Sequence, residues 1–517
     1  MAPNFKVLIA GASFGGVTLA ILLERANIAY EVFEASPGVS PIGGAVVLGP
    51  TVMPLLEQLG LLRKVQEISK PIKTMHLVQE GMKRIGEIDL SDHKEQTGYD
   101  SLVATRSELL AALTTQIPSH KIHFSKQIVS FSANKNEVVI RCADDTNYTG
   151  EILVGADGAF SRIRELLYRQ VAKKGILPRN DALATAADAA VAMASTVHGI
   201  ESDHEDTSAE GELLQGGHVS LVGVTQPLDA EMLPILQDAD SRSDTVIGDH
   251  TPHSWSYFTV PGNRICWAVN MQLDDLTLQE QHVRTPPKSP PSPTPSSISS
   301  FSAFSTSSAE SHLSPELGWE TEELGTNKLG KLLRSEDCRS FQTPLGKTLG
   351  DLIDATPKEN IARALTEQTL FETWHHGRTV LIGDACHRML SNAAHQGAVN
   401  AIQDAVVLGN LIHDLPSASP GNLVEIFKDF QADRYPHIKA QMHMNIKVGK
   451  LMSAQSWTEA LMRKFLVRYM SRIYQHFCDD KILADRPQAT FLPLIDSRGH
   501  VHAHPQREHK VFGGDSG

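Results

Sequence analysis

Glycine and acidic residues recur in this chain at points where a strand gives way to a helix, the combination that grips phosphates and ribose hydroxyls. The first such point is Gly11-Ala12-Ser13-Phe14-Gly15-Gly16, between the apolar run Val7 to Ala10 and an apolar stretch from Phe14 to Ala26. Gly11 permits a tight turn and Gly16 lets the helix pack close to the strand. The free N–H groups at the helix start then face a pyrophosphate. Ser13 stands where the usual GxGxxG pattern has its second glycine. Tyr30 to Phe33 reads as the next strand, and Glu34 at its end is placed to accept hydrogen bonds from a ribose. A glycine motif alone is weak. Strand, turn, helix, strand and acid in register predict a dinucleotide site at Gly11, Gly16 and Glu34.

Three further segments carry the same kind of residue. In Ala104-Thr105-Arg106-Ser107-Glu108, Thr105 and Glu108 have the spacing of a capping box ahead of an apolar helix. Arg106 then falls in the first turn, where the helix dipole disfavours a cation unless an anion lies near. It reads equally as a plain surface arginine. Val154-Gly155-Ala156-Asp157-Gly158 runs on to Ser161, Arg162 and Arg164 at a strand-to-helix junction. Val380-Leu381-Ile382-Gly383-Asp384-Ala385-Cys386-His387 is again strand into turn. Asp384 is placed to accept from a ribose or ribityl hydroxyl. The helix opening at Gln396-Gly397-Ala398 offers free N–H groups to an acceptor oxygen of a ligand. His387 could serve as a base, but more often such a histidine bonds its own turn. Trp255, Tyr257, Phe258 and Trp267 could wall an aromatic pocket, with core packing the commoner use of such residues.

The elements around these residues form an α/β chain long enough for several domains, at 517 residues with 41% apolar content. A net charge of −13 gives no electrostatic reason to bind nucleic acid. Five scattered cysteines without a CxxC pair argue against a disulfide framework and against a structural zinc site, and no metal is expected. They are expected to be free thiols in a reducing compartment, which makes the expected location cytoplasmic. The first apolar run leads straight into a glycine turn, so no signal peptide is expected. No stretch reaches about 18 uninterrupted apolar residues, so no membrane span is expected. The basic amphipathic segment 457–477 allows weak surface association, although docking on the domain is the commoner arrangement.

The expected organisation is a Rossmann-like dinucleotide domain from 1–71, 101–175 and 346–415, a mixed-sheet substrate domain from 72–100 and 176–345, and a helical C-terminal extension over 416–517. Residues 122–124, 127–132 and 137–142 alternate as strands, as do 218–224, 256–260 and 264–271. Residues 172–215 read as a variable connection. Residues 284–311, dense in Pro and Ser, are expected to be a disordered loop.

Together the four segments resemble the single-component FAD monooxygenases of the para-hydroxybenzoate hydroxylase-like class, with a leaning towards fungal enzymes of secondary metabolism. That family has a glycine motif with ribose acid, an FAD-contacting arginine, a GADG…S…R motif and a GDAxH motif, and all four occur here in order. The resemblance covers roughly residues 1–168 and 345–415. It implies FAD contacts at Glu34, Arg106, Asp384 and Ala398, with the backbone of Gly43 to Val47 along the cofactor. It also implies that Asp157 and Gly158 help bind the pyrophosphate and NAD(P)H. NAD(P)H would supply electrons, O2 the oxygen atom, and a small aromatic or olefinic molecule would be hydroxylated or epoxidised. The pattern departs in two places: the family's proline after GDAxH is absent from Arg388-Met389-Leu390-Ser391-Asn392, and GQG reads His395-Gln396-Gly397. Two other readings stay open, a flavin oxidase or dehydrogenase reduced by its own substrate, and a non-catalytic FAD-binding relic. A flavin halogenase is disfavoured, because Trp255 to Pro261 lacks the second tryptophan and the spacing of WxWxIP.

Overall fold

The structure, a computed structural model, describes residues 5–39, 43–185, 218–247, 253–272, 339–366, 368–389, 396–453, 481–510 and 512. The loop expected over 284–311, the helix over 457–477, and Ser391 and His395 lie outside the described residues.

Short apolar strands flanked by helices build a six-stranded sheet. Its order is His375–His376, β13 (Thr379–Leu381), β7 (Ile152–Gly155), β1 (Lys6–Ala10), β2 (Ala29–Phe33) and Ile122–His123. All pairings are parallel except the first. Strands covered on both faces must be apolar throughout, and Val7, Leu8, Ile9, Ile152, Leu153 and Val154 are fully buried. Helix α1 (Phe14–Arg25) and helix α5 (Gln396–His413) pack on one another against this sheet. An antiparallel meander over Ile128–Ala133, Val138–Cys142 and Asn147–Gly150 follows the sequence alternation.

A second sheet of seven strands has the order β12 (Ile361–Thr366), β8 (His218–Val224), β11 (Arg264–Gln272), β10 (His253–Val260), β9 (Ser243–Ile247), β4 (Thr74–Gln79) and β5 (Arg84–Asp89). Its pairings are antiparallel except β9 with β4, so the sheet is mixed. Membership of β12 departs from the sequence grouping, which placed 346–415 wholly with the dinucleotide segments. Ile361 is apolar at the β8 register, and the helix α4 (Leu349–Asp354) before it buries Leu349 and Leu352 against Trp255, Tyr257 and Trp267. The proposed division therefore falls after β12, at about residue 367 in sequence order.

A small antiparallel sheet joins the two parts: β3 (Ala45–Leu48) pairs with β6 (Leu102–Thr105), and β6 with Ser69–Pro71. Its Ala45, Val47 and Val103 pack with Val224, Phe258 and Cys266 of the second sheet. Beyond α5 runs the long helix α6 (Pro420–Ser453), and residues 485–510 then cross the dinucleotide part as a strap without regular structure. The strap is fastened by Gln58 Nε2 to Ala489 O at 2.9 Å, Asn410 Nδ2 to Gln488 O at 2.8 Å, and Arg498 to Glu57 at 2.6 Å. Among the described residues no helix is long and apolar enough to cross a membrane.

Candidate FAD site

The glycine turn behaves as its sequence requires. Gly11 has φ of 99°, in the left-handed region, and a Cβ there would lie 2.5 Å from Ala156 O. A Cβ on Gly16 would lie 2.1 Å from Gly11 O, so α1 can sit on β1 only through a bare backbone. Ser13, the departure from GxGxxG, donates through Oγ to Ala156 O at 2.8 Å and gives α1 no side-chain cap. It thus ties the turn to the Gly155–Gly158 segment and leaves the first N–H groups of α1 without a capping side chain, an arrangement suited to an anion. Glu34 accepts from Ala12 N at 2.7 Å through Oε2 and from Ser36 N at 2.9 Å through Oε1. Each oxygen keeps acceptor capacity for a ribose hydroxyl.

A cavity of about 350 Å³ opens between these pieces, lined by Gly11, Ser13, Glu34, Arg106, Asp157 and Gly158 among others. Arg106 follows the cap of helix α2 (Arg106–Thr114) and lines the cavity. Its guanidinium lies 5.9 Å from the Phe14 ring centroid, and its stem packs against Gly43, where a Cβ would meet Arg106 Cδ at 2.9 Å. Lys126 and Arg162 add two cations to the lining, with Lys126 paired to Asp144 and Arg162 to Glu165. Arg162 lies in a segment the sequence singled out; Lys126 sits in a plain loop and carried no signal.

Thr105 accepts from Glu108 N at 3.3 Å, as the capping spacing implies, but the reciprocal half of the box is absent. The Thr105 backbone is taken up by pairing with Ala45 in β3, and the Glu108 carboxylate accepts instead from Thr105 Oγ1 at 2.6 Å and from Arg264 at 2.7 and 2.8 Å. This ion pair ties α2 to the second sheet. Glu108 is more than a third exposed, so Glu108→Gln is expected to cost no more than about 1 kcal/mol in a denaturant titration.

Asp157 spends both carboxylate oxygens on its own helix, accepting from Ser161 Oγ at 2.5 Å and Ile163 N at 3.0 Å. Burial pushes its carboxyl above the ordinary value against those hydrogen bonds. Arg164 then donates to Ala385 O at 2.9 Å and Ala159 O at 2.7 Å, with its guanidinium 4.2 Å from the Phe371 ring centroid. The GADG…S…R motif thus clamps the GDA turn to the cavity wall. Gly158, with φ of 82° and open space where a Cβ would stand, leaves the backbone accessible to a ligand. Asp384 lies on the GDA turn, and a Cβ on Gly397 at the start of α5 would lie 3.5 Å from its Oδ1. Burial raises the Asp384 carboxyl, opposed by His387, Arg388, Arg106 and Arg164. Ala398 is half-buried at the same helix start. The Val47 side chain packs into the apolar cluster with Phe258, which leaves only its backbone for a cofactor.

Beneath the GDA turn is a buried polar network that sequence reading missed. Asp404 on α5 accepts from Gly383 N at 2.9 Å, pairs with His387 Nε2 at 2.6 Å and accepts from Arg434 Nε of α6 at 2.8 Å. Arg434 also donates to Asn400 Oδ1 and Gln403 Oε1. Asn400, Gln403 and Asp404 inside an otherwise apolar helix were the available signal. The His387 side chain is wholly buried and tied to Asp404, which makes it a positioning group for the turn rather than a base open to substrate.

Trp255, Tyr257 and Trp267 face away from this cavity and pack against α4, with Trp267 Nε1 donating to Thr356 Oγ1 at 2.8 Å. Of the four aromatics considered for a pocket wall, only Phe258 lies on the side of β3.

Comparisons with known proteins place the chain in a family. The family described as FAD binding domain matches residues 4–222 and 344–440, well over half of the chain. Among curated relatives, the FAD-dependent monooxygenase atmM of Aspergillus flavus is 24% identical over 96% of this chain and 88% of its own. The FAD-dependent monooxygenase spyC of Aspergillus fumigatus is 26% identical over 95% and 89%. Among solved structures, Klebsiella pneumoniae HpxO complexed with FAD and uric acid superposes with a TM-score of 0.62 at 18% identity, covering 93% of this chain and 98% of that one. The 2,6-dihydroxypyridine-3-hydroxylase of Arthrobacter nicotinovorans gives 0.58 at 18% identity, over 88% and 95%. These structures share the fold. By the family match and by relatives of matching length, the chain belongs to the FAD binding domain family and is an FAD-dependent monooxygenase.

Proposed function

We propose that FAD lies in the cavity with its ribose on Glu34 and its pyrophosphate on the Gly11 turn, the start of α1 and Arg106. The flavin end then runs along Gly43–Val47 towards Asp384, Gly397 and Ala398. The observation that carries this is the meeting of Gly11, Glu34, Arg106, Asp157 and Gly158 around one cavity from distant parts of the chain. The residues fit the cofactor: Gly11 and Gly158 leave room for backbone contact, α1 lacks a side-chain cap, and Glu34 keeps acceptor capacity.

Bound FAD supplies two-electron redox chemistry and oxygen activation. The chain's own residues bind and orient it. Asp157, Ser161 and Arg164 hold the two loops together, while Asp404 and Arg434 fix the GDA turn from below. In this reading NAD(P)H is the electron donor, O2 the oxygen source, and a small aromatic or olefinic molecule the acceptor. Buried free thiols at Cys142, Cys266 and Cys386 support a reducing, cytoplasmic setting. The test is anaerobic mixing of FAD-loaded protein with NADPH and then NADH, following the flavin's visible absorbance. Bleaching by either is the expected result. No bleaching by either would transfer the reading to an oxidase or dehydrogenase reduced by its own substrate.

A further inference from the structure

One face of the second sheet is covered by α4, and the other is covered by the small sheet at its Val224, Phe258 and Cys266 end. On the far face Leu221, Trp267, Trp255 and Val246 are buried beside α4. Their neighbours on the near face form a transverse row in register across four strands: Val222, Ala268, Ser256 and Thr245. All four are half-buried rather than buried. Four strands at about 4.8 Å spacing make that row about 14 Å wide. It begins beside the proposed flavin path, because a Cβ on Gly44 would lie 3.5 Å from Val222 Cβ. Among the described residues of β8, β9, β10 and β11, the one charged side chain that register places on this face is Arg264, already bonded to Glu108 at the packed end.

The next row holds Ser220, Asn270 and Ser254. Ser220 Oγ donates to Asn270 Oδ1 at 2.6 Å. That bond fixes the carboxamide and turns its Nδ2 donor into the group left to meet a ligand, since a carboxamide has one acceptor oxygen and one donor nitrogen.

We propose that the substrate is an uncharged, largely apolar molecule wider than a single aromatic ring, and that Asn270 selects it by donating to a carbonyl or hydroxyl oxygen while Ser220 positions the carboxamide. This rests on the FAD monooxygenase reading and specifies the substrate class for the same site. Small side chains give the floor breadth. A carboxylate would lose its water there, and among the described residues of these four strands the face offers it no cation but Arg264, already paired with Glu108, whereas a neutral oxygen needs only one donor.

The test uses the FAD-loaded full chain and three probes: 6-methoxy-2-acetonaphthone, its carboxylate analogue 6-methoxy-2-naphthoate, and the single-ring 4-methoxyacetophenone. Binding is read from perturbation of the flavin spectrum. The two-ring ketone is expected to bind saturably and at least about tenfold more tightly than either other probe. Asn270→Leu should weaken the ketone by about tenfold, the value of one net hydrogen bond. Ser220→Ala should weaken it by less, and the FAD content of each variant shows whether the cradle is intact. Equal binding of the carboxylate, no saturable binding of the ketone, or an unchanged affinity in Asn270→Leu would overturn the proposal. Bleaching by NADPH alongside any of these would leave the FAD reading standing. Absence of bleaching with the expected probe ranking would remove the electron-donor reading alone.

Discussion

Gly16→Ala is expected to abolish FAD retention and to destabilise the protein by about 3 kcal/mol, the upper range for forcing atoms into a rigid site. The added Cβ would lie 2.1 Å from Gly11 O, and the atom in its way is backbone that cannot rotate aside. α1 must then lift from β1, which moves the uncapped N–H groups away from the cavity and breaks the Ser13 to Ala156 bond. Gly49→Ala is the matched control, because nothing lies within 4 Å of a Cβ there. Bound FAD per chain and the denaturant midpoint check both. A Gly16→Ala protein that holds FAD like the parent would mean that the close approach of α1 to β1 has no part in binding.

The second large effect belongs to Arg434. Its side chain and that of Asp404 are 2% and 0% exposed, and they form a buried ion pair under the GDA turn, with His387 hydrogen-bonded to Asp404. Removing one member of a buried pair leaves the other charge unpaired, typically at about 3–5 kcal/mol. Arg434→Met is expected to fall in that range by denaturant titration and to loosen FAD. Combining it with Asp404→Asn should cost less than the sum of the single changes, since the two side chains share the interaction. A fully additive pair would contradict the coupling.

The same group gives a pH dependence. Burial alone would raise the Asp404 carboxyl, but His387 and Arg434 outweigh it and hold the carboxyl well below the usual range. A carboxyl depressed in the folded state contributes stability that is complete above its unfolded value of about 4 and is lost as pH falls below that value. Stability of the parent should therefore decline below about pH 4–5 more steeply than that of Arg434→Met. Parallel pH profiles would remove Asp404 from the account of acid sensitivity.

The dinucleotide half of the molecule was legible in sequence because its constraints are local. Gly11, Gly16 and Glu34 answer to one strand–turn–helix–strand unit, and the register of β1, α1 and β2 follows from uninterrupted apolar runs. The cap at Thr105 was half legible. Its spacing was visible, but the pairing of Thr105 with Ala45 and the pull of Arg264 on Glu108 depend on partners far along the chain. Asp157 shows the same limit: its motif marked the site, whereas its carboxylate proved to cap its own helix. The Asp404–Arg434 pair joins two helices: Asn400, Gln403 and Asp404 mark one side of it in sequence, but nothing in the spacing marks Arg434 as their partner. β12 fell within the dinucleotide range because Ile-Ala-Arg-Ala-Leu-Thr has no clean period to mark it, and only the pairing of Ile361 and Ala362 with β8 places it in the second sheet.

The most direct test of the whole account is the amount and affinity of FAD held by the parent protein, Glu34→Ala and Asp384→Ala. The account predicts stoichiometric FAD in the parent. It predicts affinity weaker by roughly tenfold to a hundredfold in each variant, the effect of losing charge-assisted hydrogen bonds of about 1.5–3 kcal/mol. Stoichiometric, undiminished FAD in both variants would show that the cofactor lies elsewhere than in the cavity at Gly11 and Glu34 and along the path from it to the GDA turn.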